Sequence, residues 1–194
     1  MADWPAVARR PLAPLLLTVL VLAGCGRDRT RPPDLTHARV GEGFIALDLA
    51  SSGLSLRIPR GWQQWSIPLP GLTSLGSGGA NVAVWRYERS EPLPSGPTAL
   101  ARARDALVAG ARRRDPSLVV SSARVVRIDG APGVELLASE RVGSLRRRVR
   151  STHVYASGAE IVIDALAPPR QFAELDRAVF RPVVASLRLS APQR

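Results

Sequence analysis

Leu118-Val119-Val120-Ser121-Ser122-Ala123-Arg124-Val125-Val126-Arg127-Ile128 is followed by Asp129-Gly130, Val134 to Val142, Gly143-Ser144, Arg146 to Ala156, Ser157-Gly158 and Glu160 to Ala167. Four runs rich in β-branched residues alternate along a period of two, and each break between them is a short pair of turn formers. Two-residue turns join only antiparallel neighbours, so this stretch predicts a four-strand antiparallel meander.

Beyond the meander, Pro168-Pro169 stops the last strand. Phe172, Leu175, Val179, Val183 and Leu187 then recur at spacings of three and four, which predicts a terminal helix or two helical pieces hinged near Arg181-Pro182. Before the meander, Leu100, Ala103, Leu107 and Ala111 form one face of a helix from Ala99 to about Arg114, with Thr98 as its N-cap and Asp115-Pro116 as its stop. Arg112-Arg113-Arg114 lies in the last turn, where cations oppose the negative end of the helix dipole, so the triplet has a local reason.

Nearer the N-terminus, Phe44 to Leu49, Leu54 to Ile58 and Asn81 to Tyr87 read as strands. Pro68 to Gly79, with two prolines and four glycines, reads as a loop. A phosphate-binding loop has to open a helix, and this one leads into a strand. Trp62 and Trp65 follow a Pro-Arg-Gly turn, where indoles plug the end of a core or line a groove. The expected architecture is α+β: an antiparallel sheet of about six to seven strands with helices packed on its faces, in one domain over residues 44–190.

Two residue groups resemble known families. Leu54-Ser55-Leu56-Arg57-Ile58-Pro59-Arg60-Gly61-Trp62 is similar to the strand and Pro-x-Gly-Trp opening of the Mog1/PsbP-like superfamily, and especially of its actinobacterial LpqN-like lipoproteins. Ile128-Asp129-Gly130-Ala131-Pro132-Gly133-Val134-Glu135 and the close from Ala167-Pro168 to Leu187 fit the same order. The resemblance implies an α/β/α sandwich and a binding or accessory role, with no shared catalytic set to carry over.

Leu22-Ala23-Gly24-Cys25 resembles the lipobox of bacterial lipoproteins. It follows Arg9-Arg10 and an uncharged run from Leu12, the order of a secretory signal, and the run is too short for a bilayer span of about 20 residues. The resemblance implies cleavage after residue 24 and lipid attachment at Cys25, placing the protein on the extracytoplasmic face of a cell membrane. Arg9-Arg10 is also compatible with twin-arginine export. Residues 25–43 read as a lipidated N-terminus and tether, and its coil part of about 17 residues reaches roughly 20–25 Å.

The 194-residue chain carries a formal charge of +11, all of its 27 basic residues being arginine. Export disfavours nucleic acid as the partner of this charge, leaving anionic lipid or another anionic envelope component, or an envelope protein. Arg146, Arg148 and Arg150 share one face of their strand and are the candidate polyanion-binding residues; a solvated face paired across the hairpin with Glu135 and Glu140 is the competing reading. The absence of lysine excludes Schiff-base and Ser–Lys chemistry, and the one cysteine leaves no disulfide. No cofactor or metal is implied, and the chain reads as a non-enzyme. The alternatives are a hydrolase built on His153 with Ser151 and Asp164, and a carrier of a lipid or small hydrophobic ligand lined by Trp62, Trp65 or Trp85.

Overall fold

The computed structural model describes residues 37–193. The signal, the lipobox with Cys25 and most of the tether lie outside the described residues. The elements are β1 (Phe44–Leu49), β2 (Leu54–Pro59), β3 (Gln63–Trp65), β4 (Gly71–Ser77), β5 (Ala80–Glu88), α1 (Gly96–Arg114), β6 (Val119–Ile128), β7 (Ala131–Val142), β8 (Leu145–Ala156) and β9 (Ala159–Ala167). They are followed by α2 (Pro169–Leu175), a π turn (Asp176–Phe180), α3 (Arg181–Ala185) and β10 (Arg188–Leu189).

Strands β3 to β9 form a seven-stranded antiparallel sheet in the order β3-β4-β5-β9-β8-β7-β6. The meander is its larger half. Asp129 and Ser157 adopt positive φ with a glycine after each, as the tight hairpins at those positions require. A small sheet, β1-β2-β10, stands apart from the large one.

Alternation divides the large sheet into two faces. On one, Val82, Val84, Val154, Ile161 and Ile163 meet Leu54, Leu56 and Ile58 of the small sheet and Phe172, Leu175, Val179, Phe180 and Val183 of the C-terminal helical run. Trp62 belongs here: it is buried, stands edge-on to Phe180 at 6.4 Å between ring centroids, and donates its indole N–H to the Arg39 carbonyl at 2.8 Å. Each such large apolar side chain contributes about 1.5–3 kcal/mol by leaving water. On the other face α1 packs on β6 and β7, with Leu100 against Val134, Leu136 and Tyr155. The result is the expected α+β fold, helices on both faces of an antiparallel sheet.

Two local expectations are revised and one pair of alternatives is resolved. Helix α1 starts at Gly96, ahead of Thr98, because Pro97 fits the first turn, where its missing N–H costs nothing. The stretch read as a loop contains strand β4: Trp65 lies over Gly76 and Ile67 against Gly71, so side chains from β3 and its turn fill the space the glycines leave. Of the single terminal helix and the two pieces hinged near Arg181-Pro182, the structure has the continuous helical run, in which the π turn ending at Phe180 absorbs the proline that follows. In addition, residues 37–43 do not hang free as the end of a tether. The Arg39 amide donates to Ser77 Oγ at 3.0 Å, the Ala38 amide to Gln171 Oε1 at 3.3 Å, and Ala38 and Val40 pack on the core.

Candidate functional site

Helix α1 covers β6 and β7 and leaves the neighbouring part of that sheet face open. Between the helix and strands β5, β9 and β8 lies a cleft of about 570 Å³ with apolar walls that include Leu107, Leu136, Val149, Val162 and Leu166. Trp85 and Tyr87 of β5 stack at 6.5 Å on the same face, and Tyr87 lines the cleft.

The floor is polar. Ser151 and His153, two residues apart on β8, point the same way by alternation, and the register sets Ser151 opposite Asp164 of β9. Ser151 Oγ lies 2.5 Å from Asp164 Oδ1 and 3.0 Å from His153 Nε2. On its other side, His153 Nδ1 is 2.7 Å from Glu160 Oε1, and Arg89 clamps the second Glu160 oxygen. Asp164, Ser151, His153, Glu160 and Arg89 are thus linked in one hydrogen-bonded chain. Ser151, His153 and Asp164, named from sequence as a hydrolase candidate set, do come together. Glu160 and Arg89 were missed, because only the β8–β9 hairpin and the return of β5 beside β9 bring them to the ring.

Proton counting restricts the states of this chain. Glu160, ion-paired to Arg89, accepts the Nδ1 proton of His153. Ser151 has one proton for its two contacts, and it is donated to Asp164 Oδ1. Burial, then the positive charges of Arg114 and Arg89, push His153 down to about 4. Burial raises Asp164, against the opposing effects of the Ser151 hydrogen bond and Arg114. Ser151 therefore donates to Asp164 and keeps His153 Nε2 as its second contact, while neutral His153 donates its Nδ1 proton to Glu160. Glu140, at the far end of the cleft, is also raised, first by burial and then by the charges of Asp115 and Asp164.

The arginine face expected to meet a polyanion is divided by burial. Arg150 is 2 % exposed and salt-bridged to Asp176 and Glu135 within the opposite face, so it is not presented to a partner. Its pairs with the two carboxylates outweigh the cost of burial and raise its affinity for the proton. Arg148 is half-buried with its guanidinium 5.1 Å from the centre of the Phe172 ring, and only Arg146 of the three is exposed. Arg147, on the cleft side, donates to the Gly79 carbonyl at 2.5 Å. Arg150 does pair with Glu135, as the competing reading has it, but within the core and not on a solvated face. Of the tryptophans offered as ligand-lining, Trp62 is core, Trp65 is exposed over Gly76, and Trp85 stands beside the cleft.

No protein-family model and no curated protein matches the chain. Solved structures do. The solution structure of cyanobacterial PsbP (CyanoP) from Synechocystis superposes with a TM-score of 0.60 at 14% identity, over 75% of this chain and 92% of that one. LpqN, involved in cell envelope biogenesis of Mycobacterium tuberculosis, superposes with a TM-score of 0.53 at 13% identity, over 77% of this chain and 87% of that one. At these identities the likeness concerns the fold alone, the antiparallel sheet with helices on its faces that the cyanobacterial PsbP and LpqN structures share with this chain.

Proposed function

We propose that the chain is an accessory lipoprotein of a bacterial cell envelope, held on the extracytoplasmic face by lipid on Cys25 and binding its ligand or partner in the cleft beside α1. The observation that carries the binding role is the open half of a sheet face: apolar walls, a stacked aromatic pair and a prearranged polar floor converge where a closed structural core would have been covered. The lipobox-like Leu22-Ala23-Gly24-Cys25 supports the anchor, and the fold shared with an envelope-biogenesis protein is in keeping with the setting. The intact mass of the protein from native membranes tests the anchor. A chain beginning at Cys25 and carrying acyl groups, with a Cys25→Ala variant left unprocessed or released, is expected; an unlipidated chain beginning at Met1 overturns it.

The apolar walls favour a ligand with a hydrocarbon portion over a purely ionic one, which agrees with a lipid or hydrophobic-ligand carrier. Titration of the purified protein with a fatty acid or a phospholipid below its aggregation threshold should change Trp85 fluorescence saturably. A Trp85→Phe variant that keeps the full change would place the ligand elsewhere.

A further inference from the structure

Ser151, His153 and Glu160 stand in the order of nucleophile, base and orienting carboxylate, linked by contacts of 3.0 and 2.7 Å. We propose that they make the cleft a serine esterase or acyl-transfer site acting on a carboxylic ester with an apolar acyl group. The proposal rests on the reading of the cleft as the ligand site and adds covalent chemistry to it.

Each requirement of such a site has a counterpart. The nucleophile has to be accessible, and Ser151 lines the cleft. The base has to be unprotonated at neutral pH, and His153 is kept so by burial and by Arg114 and Arg89. The orienting group has to hold one ring nitrogen and leave the other facing the hydroxyl. Glu160 does this, itself fixed by Arg89. Leu136, Val149, Val162 and Leu166 supply an apolar wall for an acyl chain. Strand β8 lies between β7 and β9, so its amides serve the sheet and offer no oxyanion hole. The cationic donor that lines the cleft and can serve a developing oxyanion is instead the guanidinium of Arg114, which is in no ion pair among the described residues.

In the reaction, Ser151 Oγ bonds to the ester carbonyl carbon while its proton passes to His153 Nε2. The carbon–oxygen bond to the alcohol then breaks, and the alcohol leaves with that proton. Water attacks the acyl-serine, gives a proton to His153, and the acid departs as Ser151 recovers its hydrogen. Ester and water become acid and alcohol with no further reactant. An alcohol in place of water would make the step an acyl transfer.

The test treats the full-length protein in detergent with an alkyl fluorophosphonate and maps the adduct by mass spectrometry. One adduct on Ser151 is expected, absent from heat-denatured protein and from Ser151→Ala. Labelling should slow at least tenfold in His153→Gln. Glu160→Gln should slow it and shift its pH dependence, with Glu160→Asp partly restoring both, a pattern that loss of folding does not produce. Wild-type protein that gives no adduct above the denatured control, or labels equally after Ser151→Ala, overturns the proposal without reference to any variant's folding. Saturable ligand binding with no Ser151 adduct overturns the chemistry and leaves the binding role standing.

Discussion

Arg150 grips Asp176 through two parallel hydrogen bonds, Nε to Oδ1 at 2.5 Å and Nη2 to Oδ2 at 2.9 Å, with both residues buried. The pair joins the middle of the sheet to the π turn of the C-terminal helical run. It extends through Glu135 to Arg124 on one side and to Arg181 on the other. Replacing Arg150 by Met leaves buried Asp176 and Glu135 with only the exposed Arg181 and Arg124 as partners, and breaking a buried pair from one side costs up to about 3–5 kcal/mol. Arg146→Ser, at an exposed position of the same strand face, should change stability by less than about 0.5 kcal/mol. Urea unfolding of the two variants checks the contrast; similar midpoints would show that Arg150 is not a structural arginine.

Asp176 makes that network sensitive to acid. Burial alone would raise its pKa, but the hydrogen bonds and charges of Arg150 and Arg181 win and hold it below the usual carboxylate range. A carboxylate whose folded pKa is depressed adds stability above its unfolded pKa, and that stability is lost as pH falls through the folded value. In Asp176→Asn the loss of stability below about pH 4 should be shallower than in the wild type, as thermal melts between pH 2 and 5 would show.

His153 acts in the same direction at higher pH. Its pKa falls from 6.5 unfolded to about 4 folded, so between these values the unfolded chain binds more protons and stability rises with pH. The span corresponds to at most about 3 kcal/mol. NMR of the ring in a His37→Ala background should show His153 neutral at pH 6 with its proton on Nδ1. A ring that titrates above pH 6 would contradict the burial and neighbouring arginine charges that keep His153 neutral.

Gly78 holds the N-terminal segment in place. Its φ is +52°, and a Cβ there would stand 2.5 Å from the carbonyl of His37. Gly78→Ala therefore combines backbone strain with displacement of residues 37–40, which pack beside Trp62 and Gln171. Limited proteolysis should cut near Arg39 faster in the variant, by several-fold, while cleavage of the meander is unchanged. Equal rates would mean that the segment is not held by this contact.

Much of the fold was legible in local pattern. The alternation of Leu118 to Ala167 and its two-residue turns specify antiparallel neighbours, because a turn that short leaves no other pairing. The faces of α1 follow from the three-and-four spacing of Leu100, Ala103 and Leu107. Strand β4 was not legible: its glycines argue against a strand until Trp65 and Ile67, which the chain brings back from β3 and the turn after it, occupy their surface. Alternation placed Arg146, Arg148 and Arg150 on one face correctly, but it carries no information on what covers that face. A helical run starting 19 residues after Arg150 supplies Asp176 and Phe172, turning a basic stripe into a buried salt bridge, a cation–aromatic contact and one exposed arginine. The cleft divides in the same way. Sequence spacing by itself put Ser151 and His153 side by side, since residues two apart on a strand share a face. Strand register and the β5–β9 pairing then decided that Asp164, Glu160 and Arg89 complete the chain of hydrogen bonds, because hydrogen-bond partners and desolvation depend on groups distant in sequence that only the folded chain brings within 3 Å.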